Sequence, residues 1–194
     1  PQRKENVRRG NSAMMVKTIF SGFGGQGVLM MGYSLAHGAM SAGYNVTFLP
    51  AYGAEVRGGT ANCTVAVSDD EIASPIASEP DYIVVLNTPS LYTFQNRMAP
   101  GGALFLNSSI IAVEPSRHDV RIFKIPSSEM AEKLGNPRTA NTVMMGAFLK
   151  ITGLVPPDIY LRSMETVMGS KKKSVIEINR KAFAAGHEFL KIAE

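Results

Sequence analysis

With 194 residues, 45% of them hydrophobic and 19% charged, the chain is long enough to bury a core without disulfide or metal staples. No tract is apolar over bilayer length and no secretory signal is visible, which excludes a membrane span and leaves the cytoplasm as the expected compartment. The net charge of +4 suggests nucleic acid only until it is located: residues 1–17 carry all of it, and the remainder balances 15 basic against 15 acidic residues. Neither a nucleic-acid nor a membrane partner is expected. Cys63 is the only cysteine, whereas an iron–sulfur cluster normally takes four ligands, and His37, His118 and His187 lack metal-type spacing.

In chain order, residues 1–14 read as a leader or appended segment, expected to be disordered, ahead of a single α/β domain over 15–194. A first strand is predicted near Lys17–Ser21, then a glycine turn, then a helix near Gln26–Ala42 that sets Val28, Met31, Leu35 and Ala39 on one side. A strand at Asn45–Leu49 ends at Pro50, and a third follows at Cys63–Ser68. The apolar run Tyr82–Leu86 suits a parallel strand covered on both faces. A helix near Pro89–Met98, a strand at Ala103–Leu106 and another at Val120–Ile125 come next, then a short helix capped by Ser127 or Ser128. Three helices close the chain at 139–152, 157–168 and 172–193, the last opened by a solvated lysine run at 171–173. The alternation predicts a Rossmann-like α/β fold: a mostly parallel sheet flanked by helices, with a helical C-terminal region.

Two stretches carry chemistry. GFGGQG at 22–27 satisfies G-x-G-x-x-G between a strand and a helix, where free N–H groups and the helix dipole favour a phosphate. A nicotinamide site also wants an acid at the end of the second strand, and here that end reads Thr47-Phe48-Leu49-Pro50. The turn by itself leaves three readings open: a packing device, a phosphate contact, or a dinucleotide site. PAYGAEVRGGTANC at 50–63 adds Glu55 and Arg57 beside Gly58 and Gly59. The guanidinium there suits a carboxylate or phosphate, or simply its neighbouring glutamate.

Taken in order and spacing, GFGGQGV, LPAYGAEVRGGTANC, SDDEIASP and GNPRTANTVMMGA resemble the gamma subunit of 2-oxoacid:ferredoxin oxidoreductases, the family of the pyruvate, 2-oxoglutarate and ketoisovalerate enzymes. The resemblance runs from about Lys17 to Gly186. It implies a complex subunit in coenzyme A-dependent oxidative decarboxylation of a 2-oxoacid. Thiamine diphosphate with magnesium and the iron–sulfur clusters would lie on alpha, beta and small ferredoxin-like delta partners, with ferredoxin as acceptor. It further implies functional roles for Gly22, Gly24, Gly25, Gln26, Gly27, Glu55, Arg57, Gly58, Gly59 and Asn141. They either line a coenzyme A crevice or form the docking surface for partner subunits, and none is expected to be catalytic. The competing reading is a stand-alone dinucleotide-binding reductase or nucleotide-binding module. Cys63 is expected to act as a small buried hydrophobe, and Met30-Met31 and Met144-Met145 to mark adaptable subunit contacts. Homodimerisation of the isolated chain stays open.

Overall fold

Short apolar runs with buried residues at successive positions form the middle of the sheet. A computed structural model of the protein describes residues 14–52 and 60–190. Its strands are β1 (Met15–Phe23), β2 (Asn45–Tyr52), β3 (Thr60–Ser68), β4 (Tyr82–Val85), β5 (Ala103–Asn107) and β6 (Arg121–Ile125). The helices are α1 (Val28–Ser41), α2 (Thr88–Phe94), α3 (Ser127–Lys133), α4 (Ala140–Thr152), α5 (Pro157–Met168) and α6 (Lys173–Phe189). The strands order as β2-β3-β1-β4-β5-β6. β1, β4, β5 and β6 pair in parallel, while β3 runs antiparallel to both β1 and β2. The expected mostly parallel α/β sheet is therefore present, with one reversed strand wedged into it.

The alternation along each strand feeds two cores. Phe20, Val84 and Phe105 point to the larger one, under α1, α4, α5 and α6, where Phe148 meets all three aromatic neighbours Phe20, Tyr82 and Phe105 edge-on. Ile19, Ile83, Val85, Leu104 and Leu106 point the other way, onto Leu91 and Phe94 of α2. α4 is buried at every position from Thr142 to Leu149, so it is the central helix of its layer. α6 crosses it at backbone contact: a Cβ on Gly186 would stand 1.8 Å from the Val143 carbonyl oxygen, and one on Gly146 2.1 Å from that of Phe183. Only glycine fits at this crossing.

Several sequence expectations need correction. Pro50 does not end β2; it pairs in register with Cys63, tolerated because β2 is an edge strand where a missing N–H need not break a ladder. Ser127 does not cap α3 but lies inside it, its buried hydroxyl without a partner among the described residues. Ser128 and Glu129 donate their N–H groups instead to Asn107 Oδ1 at 3.4 Å and Ser109 Oγ at 3.1 Å, so the cap comes from the end of β5. Met31, Met144 and Met145 are core residues rather than contact surface, and only Met30 is exposed. Cys63 is fully buried, as expected, and burial pushes its thiol up to about 12. No described helix is long and apolar enough to cross a membrane. The leader expected at 1–14 falls, except for Met14, outside the described residues.

Candidate functional site

β1 is the switch point of the sheet: α1 leaves its carboxyl end to pack in the larger core, whereas α2, following the neighbouring β4, packs in the smaller. The gap left between these two strand ends is where open α/β sheets bind their ligands. The glycine turn closes one side of it. Gly25 and Gly27 adopt left-handed backbones, φ 97° and 77°, and Gly27 sits at the N-terminus of α1. A Cβ on Gly25 would meet nothing within 4 Å, so this stretch of backbone is open to an approaching group. Gly24 is exposed. Gly22 is the opposite case, because a Cβ there would lie 2.7 Å from Gln26 Oε1 and 2.8 Å from Val28.

Gln26 braces the turn. Its Oε1 accepts from Phe23 N–H at 2.7 Å and from Asn87 Nδ2 at 3.2 Å, and its Nε2 donates to the Leu86 carbonyl at 3.3 Å. The side chain thus ties the end of β1 to the end of β4. Asn87 in turn caps α2 by accepting from Ser90 N–H at 2.9 Å. Asn141, at the start of α4, donates to the Gly27 carbonyl at 3.4 Å and fills the space a Cβ on Gly27 would need, 2.3 Å from its Nδ2. The structure therefore brings Gly22, Gly24, Gly25, Gln26, Gly27 and Asn141 together, with Gln26 and Asn141 supporting the turn. Glu55, Arg57, Gly58 and Gly59 lie outside the described residues. Thr60, the first described residue after them, pairs with Phe23 of the glycine stretch.

Two cavities adjoin the turn. One, of about 220 Å³, opens at the carboxyl ends of the central strands among Gly25, Gln26, Leu86, Asn107, Ser128 and Arg138. The other, of about 180 Å³, lies between α1, α4, α5 and α6. Arg138 lines both. Its guanidinium is exposed and forms no ion pair or side-chain hydrogen bond among the described residues. Arg138 was not singled out from the sequence, although it stands in the GNPRTANT stretch that drew attention to Asn141. Asn87, Asn107 and Ser128 were also missed, being isolated polar residues at strand ends that only the fold brings together. The first turn of α1 holds no acidic side chain, and its leading N–H groups have no helical acceptor. Backbone, helix terminus and guanidinium together favour an anion.

A dinucleotide reading meets a topological obstacle. The ribose-binding acid belongs at the end of the second strand, beside the first. Here β3 occupies that place and moves β2 to about 10 Å from β1, two strand spacings away. Among the described residues no cluster of three His, Cys, Asp or Glu side chains is placed to hold a metal ion.

The fold is a Rossmann-like α/β module with a crevice at the carboxyl ends of its strands, lined in part by groups suited to an anion. Residues 17–189 match the family described as pyruvate ferredoxin/flavodoxin oxidoreductase, and the chain belongs to that family. It is 39% identical over 176 residues to the ketoisovalerate oxidoreductase subunit VorA of Methanothermobacter thermautotrophicus; the match covers 90% of this chain but only 36% of that protein. The 2-oxoglutarate synthase subunit KorC of the same organism is 33% identical over 178 residues, covering 88% of this chain and 92% of KorC. In structure it resembles the keto/oxoacid ferredoxin oxidoreductase gamma subunit of Geobacter sulfurreducens, with a TM-score of 0.79, 25% identity, and 91% and 96% of the two chains covered. The fold also matches a third of the 2-oxoglutarate:ferredoxin oxidoreductase chain of Magnetococcus marinus, a structure holding 2-oxoglutarate, coenzyme A and succinyl-CoA: the TM-score is 0.84 at 23% identity, over 93% of this chain and 32% of that one.

Proposed function

We propose that this chain is the gamma-type subunit of a 2-oxoacid:ferredoxin oxidoreductase. In this reading thiamine diphosphate and the iron–sulfur clusters are carried by alpha, beta and delta-type partners, with ferredoxin as the acceptor. The observation that carries the reading is the near full-length correspondence to a subunit of similar size, KorC, together with a crevice built for binding rather than bond-making. Beside the apolar Leu86, Pro137 and Ala140, its described lining offers backbone, amides, one hydroxyl and one guanidinium, groups that orient a ligand but do not exchange protons near neutral pH.

The residues present fit the phosphate end of coenzyme A. Gly25 offers unobstructed backbone, α1 its N-terminus, and Arg138 a guanidinium that can take two oxygens at once. When bound, coenzyme A supplies the thiol that accepts the acyl group. A cavity of about 220 Å³ is smaller than the roughly 300–1,000 Å³ that encloses a drug-sized ligand, so most of so large a molecule would lie outside it. That favours a shared site, in which this chain grips the phosphates while a partner subunit covers the rest. Gly22, Gln26, Gly27 and Asn141 then hold the turn in shape, and Glu55, Arg57, Gly58 and Gly59 serve coenzyme A binding or the docking of partner subunits.

Anaerobic affinity purification from the native host tests the reading. The expected result is co-purification of a complex containing thiamine diphosphate and iron–sulfur clusters; recovery of this chain alone would overturn it. Arg57→Ala is expected to weaken assembly of that complex or to raise the KM for coenzyme A. Unchanged assembly and kinetics would remove Arg57 from the site.

A further inference from the structure

The second cavity is not explained by the proposed function. It lies behind the glycine turn, with walls contributed by Met31, Met145 and Met164, all nearly fully buried. Thioether side chains are flexible and polarisable, so they adapt to an inserted aliphatic group without a fixed shape. Two hydroxyls lie at its buried end, on Ser34 and Tyr160, which are 1% and 2% exposed. Ser34 Oγ, sealed from solvent, faces the Tyr160 hydroxyl and makes no hydrogen bond of standard geometry among the described residues. A buried hydroxyl pair of this kind keeps unused donor and acceptor capacity, which a polar atom in the cavity can take up. At the exposed end stand two cations, Arg138 and Lys171. Neither forms an ion pair among the described residues.

These three parts specify a ligand by its chemistry. The cations call for an anionic group at the mouth. The methionines call for a short methylene chain along the walls, and the buried hydroxyls for an oxygen at the far end. Volume sets the length: a dry cavity of about 150 Å³ accommodates benzene, so this one, of about 180 Å³, suits roughly six to eight non-hydrogen atoms. We propose that the methionine-lined cavity between α1, α4, α5 and α6 is a binding site for a short aliphatic carboxylate bearing a second oxygen at its other end. The site shares Arg138 with the crevice at the strand ends. An occupant that engages the guanidinium therefore competes with an anion bound next door, and the antagonism is reciprocal.

The test is a titration of the full chain labelled with 13C at its methionine methyls, using 4-hydroxybutyrate, butyrate and 1,4-butanediol as probes. Saturable shifts of the methyls of Met31, Met145 and Met164 are expected, with 4-hydroxybutyrate binding about tenfold tighter than the uncharged diol, the effect of roughly one charge-assisted contact. Arg138→Gln, an exposed change that leaves the core intact, is expected to abolish that tenfold advantage. Ser34→Ala is expected to abolish the preference for 4-hydroxybutyrate over butyrate while leaving both anions bound. Absence of saturable shifts would overturn the proposal. So would equal binding of all three probes, or an unaltered ranking in both variants.

Discussion

The two cavities that meet at Arg138 have walls held in different ways. At the strand ends the polar part of the wall is backbone and amide, and the amides there and behind it are already committed: Gln26 to Phe23 in β1 and to Leu86 and Asn87 just past β4, Asn87 to the first turn of α2, Asn107 to the first turn of α3. Behind the turn much of the wall is thioether, and its directional bonds are fewer: Asn141 to the Gly27 carbonyl and the Thr142 hydroxyl to Asn179 Oδ1. The second cavity nevertheless has a rigid frame, because α4 and α6 touch backbone to backbone at Gly146 and Gly186. A hydrogen-bonded wall presents one geometry to a ligand, whereas a soft lining in a rigid frame accepts several related shapes. The first arrangement suits a recurring group such as a phosphate, the second a family of small aliphatic molecules.

Breaking the frame should give the largest effect. Gly186→Ala places a methyl against the Val143 carbonyl, and since backbone cannot swing aside, a loss of about 3 kcal/mol is expected in urea unfolding. The methionine cavity should lose its ligand response in the same variant, while an anion at the strand ends is still bound. Parallel loss of both would mean that the two sites are not mechanically separate.

The frame and the brace differ in how readable they are from sequence. Helical periodicity locates all three C-terminal helices to within a few residues, because each buries a continuous face. It cannot show that Gly146 and Gly186 meet, since nothing local distinguishes a crossing glycine from an exposed one. The same limit applies to Ser127 and Ser128, where a plausible local cap is displaced by partners 21 and 20 residues upstream of their donors, Asn107 and Ser109. Pro50 misleads for a related reason: it stops a central strand but not an edge strand, and only the strand order shows that β2 is at the edge. The glycine turn was legible because strand, turn and helix are contiguous. Arg138 was not, because its significance comes from two cavities assembled by distant segments.

The brace should give the next largest effect. Gln26→Leu leaves the Phe23 N–H, the Asn87 amide and the Leu86 carbonyl without their partner, and about 2 kcal/mol of stability should be lost. Anion binding at the strand ends should weaken in that variant while the methionine-methyl response persists, the mirror image of Gly186→Ala. A smaller effect concerns α1, one wall of the methionine cavity. A Cβ on Gly32 would stand 2.4 Å from Cys63 Sγ, so this thiol packs directly beneath the helix. Burial lifts the folded thiol to about 12 from 9.0, so the unfolded chain releases its proton first. The stabilising contribution is complete below pH 9 and is lost as pH rises towards 12, with about 1 kcal/mol gone near pH 10. A pH series of urea midpoints checks this. Cys63→Ala should flatten that part of the profile, and an unchanged slope would assign the alkaline loss to other groups.

The reversed strand has a consequence for how the chain emerges during synthesis. Among the described residues β1 pairs only with β3 and β4, and β2 only with β3. Residues 14–52 therefore contain two of the six strands but not a single strand-to-strand ladder. In a parallel βαβ unit the first two strands can pair as soon as the helix has turned back. Here both wait for β3, whose residues Thr60–Ser68 close the gap by bonding to β2 on one side and β1 on the other. Until that strand has left the ribosome, the edges of β1 and β2 lack the strand that joins them in the folded sheet. The glycine turn acquires a sheet to stand on only afterwards.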